Sequence, residues 1–160
     1  MDLLESKMKY KSTRSFRTVL AGLFALFILS PLLHAASPAV TVNWQTLKTL
    51  TSAATAQKSA AFALQGKQVS IPGFMVPLED EDNEVTEFLL VPYAGACIHT
   101  PPPPPNQMVY VKMDHNAKVK MSFVDPIVVT GQLKISTIVS PYGDVSYTLT
   151  GDDVKPYGGP

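Results

Sequence analysis

Beyond Arg17 the sequence contains no arginine, and its 160 residues include one cysteine, Cys97. A single thiol excludes any intramolecular disulfide, so the fold must rest on packing. The missing arginines argue against a nucleic-acid partner. From Ser37 onward eight lysines stand against eleven Asp and Glu, a formal charge of eight minus eleven, or −3. Nucleic-acid binders draw affinity from Lys and Arg neutralising phosphates, and arginine adds bidentate and stacking contacts this region lacks. The same balance disfavours anionic membrane surfaces. No apolar run reaches the roughly 20 residues of a lasting transmembrane helix. The usual enzyme signatures are absent too: Gly66-Lys67 lacks the earlier glycine of a phosphate loop, and there is no Gly-x-Ser-x-Gly elbow or His-Glu-x-x-His pair.

What is present begins with a leader. Lys7, Lys9, Lys11, Arg14 and Arg17 precede an apolar core at residues 19–33, broken by Ser30 and Pro31, and then His34-Ala35-Ala36-Ser37. This is the grammar of a cleavable signal peptide, residues 1–36, with cleavage expected after Ala36. Met8 is an alternative start, because Asp2 and Glu5 suit a basic leader poorly. No cysteine stands near the cleavage point, which disfavours a lipoprotein. The expectation is a protein exported to the periplasm, with no stable membrane anchor after cleavage and one domain at residues 37–160.

In that domain Asn43 is placed to cap a helix carrying Trp44, Leu47 and Leu50, continuing through an Ala-rich stretch to a stop at Gly66. Strand-forming composition then takes over. Residues 69–75 alternate and bend at Pro72-Gly73. An acidic turn at residues 79–84 leads into a returning strand at 85–91, making a hairpin. Further strands are expected at 108–113, 119–123 and 127–135. A turn at 140–143 introduces the last, at 145–150. Five or six strands after a single helix define a mainly β fold, and a small closed or partly open barrel would remove its exposed edges.

One segment looks chemically purposeful. Cys97-Ile98-His99-Thr100 is followed by five prolines, Pro101, Pro102, Pro103, Pro104 and Pro105. If 97–99 is extended, Cys97 and His99 project from one face with α-carbons about 6.7 Å apart and can converge on one ion. Thiolate plus imidazole favours zinc, copper or iron. A third ligand is needed, and His115 is the first candidate, with Asp114 beside it and the acidic residues at 79–87 behind. Two other readings stay open: Cys97 as a small buried hydrophobe with His99 a loop residue, or Cys97 as a thiol activated by His99. The prolines form a polyproline II segment about 15 Å long, either a stiff strap or a docking ligand for an aromatic-lined groove. The acidic run lacks the central glycine of a calcium loop and reads as a solvated hairpin tip.

The string from Gly95-Ala96-Cys97-Ile98-His99-Thr100 through the five prolines to Asn106-Gln107 resembles the bacterial envelope domain-of-unknown-function family 3299. Ile71-Pro72-Gly73-Phe74-Met75-Val76-Pro77-Leu78 before it and Val129-Thr130-Gly131 after it belong to the same resemblance. It runs over residues 44–157. The resemblance implies an exported, OB-like barrel, in a family some of whose members stand beside ABC-transporter components linked to zinc supply. It makes Cys97 and His99 the positions to test as ligands. The expectation is a periplasmic zinc-binding or zinc-handling accessory of a transporter. The alternatives are an envelope interaction module using the proline strap and, more weakly, a Cys97-dependent enzyme; a non-enzymatic role is favoured.

Overall fold

The computed structural model describes residues 38–78, 83–96 and 101–158. The fold is mainly β with a single α-helix. β1 (Val40–Thr41) leads into α1 (Trp44–Leu47), whose N-cap Asn43 accepts a hydrogen bond from Thr46 N through its side chain. The helix ends there. Instead of one helix reaching residue 65, two 3-10 segments follow, Ala53–Lys58 and Ala60–Leu64. The cause is local hydroxyl chemistry. Ser52 and Ser59 each accept from a backbone N–H three residues on, and Thr49 Oγ1 donates to Thr46 O, so these side chains restart short turns rather than continue a helix. Gly66 then reverses the chain at φ +73°, a conformation that favours glycine.

β2 (Gln68–Pro77) is the strand on which the fold turns. Its first half is antiparallel to β7 (Ile127–Ser140), from Gln68↔Gln132 to Gly73↔Ile127. Its second half is antiparallel to β4 (Glu87–Val91), from Phe74↔Val91 to Pro77↔Phe88. The change of partner falls at Gly73, where a β-carbon would stand 2.7 Å from Val91 O and 2.9 Å from Leu90 Cγ. Only glycine lets the strands approach so closely. The expected bend at Pro72-Gly73 is therefore where one strand passes from one neighbour to another, and the expected hairpin is the β2–β4 pair.

β4 pairs with β5 (Val109–Met113), β5 runs parallel to β8 (Gly143–Pro156), and β8 is antiparallel to β7. Neighbour relations thus run from β2 through β4, β5, β8 and β7 and return to β2. β1 lies parallel to the start of β2, and β3 (Glu84–Val85) pairs with β6 (Val119–Lys120) in a separate two-stranded sheet. Residues 121–123 do not extend β6. β7 and β8 are longer than the sequence suggests, fourteen residues each, joined by the turn at Pro141-Tyr142.

Alternation along these strands builds the main core from Val69, Ile71, Phe88, Leu90, Val109, Val111, Leu133 and Leu149, among others. Tyr147 is fully buried in it, and its hydroxyl donates to Leu47 O at 2.7 Å; burial pushes that phenol well above its ordinary range. Trp44 Nε1 donates to Pro72 O at 2.7 Å, tying α1 to the bend in β2. A second apolar cluster joins Val76, Leu89, Val91, Ala96, Met108 and Val145. Because Phe88 and Leu90 belong to the first cluster and Leu89 and Val91 to the second, β4 is buried on both faces. That explains its unbroken apolar run.

Candidate functional site

The seventeen residues between β4 and β5, at 92–108, carry the segment singled out above. Cys97 and His99 lie outside the described residues, in the gap at 97–100. Both flanks of that gap are described, and both are fastened down. On one side Gly95, at φ +75°, turns the chain into Ala96, which is fully buried in the second apolar cluster. On the other side Pro103 is buried while Pro101, Pro102, Pro104 and Pro105 are exposed. Pro104 has φ −60° and ψ 154°, the polyproline II conformation. With three residues per turn, such a helix can seat one proline against the domain and leave its neighbours in solvent.

The strap closes on a latch that sequence reasoning did not single out. Asn106, in the 3-10 turn Pro105–Gln107, donates from Nδ2 to Lys48 O at 3.1 Å and to Leu50 O at 2.8 Å. These carbonyls lie just past α1, where helix-end acceptors lack backbone partners. The cue was the Asn that directly follows the prolines, but nothing in the sequence names its acceptors 56 and 58 residues away. Asn106 Oδ1 is buried with no hydrogen-bond partner.

His115 stands elsewhere. The strap enters β5 at Val109, and His115 follows the other end of that strand, in the turn Asp114–Asn116, with φ +52°. Its side chain is 93% exposed and lies 3.2 Å from Asp114 Oδ2. Of the acidic run, residues 79–82 fall outside the described residues, and Glu84 is exposed on β3. Glu87 is already engaged: Lys112 Nζ donates to Oε1 at 2.5 Å and the Tyr110 hydroxyl donates to Oε2. The Lys112 and Tyr110 hydrogen bonds hold its carboxyl below the usual range. Among the described residues no group of three or more His, Cys, Asp or Glu is placed to hold a metal ion, so the described part offers no completed ligand set. No described helix is long and apolar enough to cross a membrane.

The chain falls within a recognised family. The profile described as "Protein of unknown function (DUF3299)" matches residues 30–156, and the chain is a member of that family. Among solved structures it is similar to a DUF3299 family protein from Pseudomonas aeruginosa PAO1. The two share 36% identity with a TM-score of 0.56, over 79% of this chain and 91% of that one. No protein of curated function matches.

Proposed function

We propose that this chain is an exported OB-like barrel that presents Cys97 and His99 as ligands for a transition metal, zinc first, as an accessory to metal transport. The observation that carries this reading is the double anchoring of the segment. Buried Ala96 immediately precedes Cys97, and buried Pro103 with latched Asn106 closely follows His99. A short stretch held at both ends loses less conformational freedom when it closes on an ion, which raises affinity. The barrel reading is supported by five strands whose neighbour relations return to the first, with β2 shared between two partners. The export reading is supported by the basic and apolar leader ending at Ala36. A thiol in an oxidising compartment is exposed to oxidation unless buried, bound or used, and metal ligation would protect it.

Equilibrium dialysis against zinc tests the metal reading. The wild-type protein is expected to bind about one ion per chain, and a Cys97→Ser, His99→Ala double variant at least tenfold more weakly; equal binding by both overturns it.

A second reading has its own observation in favour. Four of the five prolines face solvent while one is seated, so the strap offers a preformed, low-entropy ridge of the kind that aromatic-lined grooves recognise. In that reading the chain is an envelope interaction module, and the metal segment is incidental.

A further inference from the structure

Carbonyls at and just past the end of α1 take side-chain donors from distant parts of the chain. Tyr147 donates to Leu47 O at 2.7 Å, and Asn106 donates to Lys48 O at 3.1 Å and to Leu50 O at 2.8 Å. The stretch that carries them is itself firmly held. Trp44 Nε1 reaches Pro72 O on β2, Thr49 Oγ1 accepts from Ala61 N at 3.1 Å, and Leu47 and Leu50 are buried in the main core. The strap is thus latched to an N-terminal segment that the strands already grip.

Asn106 is badly suited to act only as a stabiliser. Its Nδ2 serves both carbonyls, which fixes which way round the amide lies and leaves Oδ1 buried with no hydrogen-bond partner. An orphaned buried acceptor costs about as much as a hydrogen bond contributes. The bond to Lys48 O is exposed, so water can replace it. The latch therefore adds little to the stability of the metal-free fold. What it fixes is position. Polyproline II and 3-10 turns both have three residues per turn, which puts Asn106 one turn after buried Pro103, on the side of the strap that meets the domain.

We infer that Asn106 is a positioning residue for the metal segment and couples it to the N-terminal segment at residues 48–50. The latch keeps Pro103 seated, and the seated strap holds the end from which Cys97 and His99 are presented. This rests on the metal reading and adds what regulates that site. Coupling of this kind is reciprocal: zinc firms residues 48–50, and loosening them weakens zinc by the same factor.

Two measurements on the full chain test this, zinc affinity by chelator competition and amide hydrogen exchange with and without zinc. Asn106→Leu nearly keeps the side chain's size and removes both donors. It should bind zinc about fivefold or more weakly than wild type, while its metal-free urea midpoint stays close to wild type. In the wild type, zinc should slow exchange at the Lys48, Thr49 and Leu50 amides, which close turns on Trp44 O, Thr46 O and Leu47 O. In Asn106→Leu, saturating zinc should leave those amides unchanged. The inference alone is overturned if the wild type binds zinc and Asn106→Leu binds it as tightly, or if zinc leaves the three wild-type amides unaffected. Should Asn106→Leu fail to fold, the wild-type exchange result decides by itself. A wild type that binds no zinc overturns the metal reading and this inference together.

Discussion

Tyr147 shows how a single side chain fixes the N-terminal segment to the strands. Its ring fills the core, and its hydroxyl joins the Leu50 backbone N–H in donating to Leu47 O. Removing the hydroxyl in Tyr147→Phe would leave that carbonyl with the Leu50 N–H as its donor, at a cost of about 1 kcal/mol. Urea unfolding should show a lower midpoint with an unchanged slope. An aromatic in the last strand is legible from sequence as a core residue, but its hydroxyl's acceptor, 100 residues away, is not. Asn43 was legible, because a capping residue acts within three positions; Asn106 was not, because its acceptors lie more than fifty residues away. His115 was singled out by residue type alone, and its place beyond the end of β5 was set by strand pairing.

At the scale of elements, the strands were more legible than the helix. β2, β4 and β5 follow apolar alternation or unbroken apolar runs bounded by turn residues, signals that survive into the structure. The stretch after α1 misled because alanine-rich composition suggests helix, while Thr49, Ser52 and Ser59 turn their hydroxyls onto nearby backbone and break it into short turns. β7 outran its expected end because Ser136 and Thr137, which read as loop, sit at a register shift where Ser136 Oγ bonds Thr148 Oγ1 across the hairpin. The proline strap carries a prediction at this scale. Pro103→Ser removes the seated ring and should lower thermal stability by several degrees. A Pro102→Ser, Pro104→Ser double variant changes solvent-facing rings and should melt within about 2 °C of wild type. If the interaction reading holds, the double variant also loses partner capture in a pulldown; if the metal reading holds alone, its zinc affinity and its partners are unchanged.

For the molecule as a whole, sequence alone led to the family, the mainly β class and the bend in β2, all of them local or compositional signals. The pairing circuit was only an argument about edges until register showed β2 passing from β7 to β4 at Gly73. The candidate site was legible as a string of residues and not as a constellation, because ligand convergence depends on chain segments that meet in space. The two descriptions join at one point: the anchoring of Ala96 on one side and of Pro103 and Asn106 on the other, which leaves Cys97 and His99 between fixed ends. The most direct measurement is zinc K-edge X-ray absorption on protein isolated from its native compartment without a histidine tag. The account predicts near-stoichiometric zinc with a first shell containing one sulfur at about 2.3 Å and nitrogen or oxygen at about 2.0–2.1 Å. Protein free of metal, or zinc with no sulfur neighbour, would contradict it.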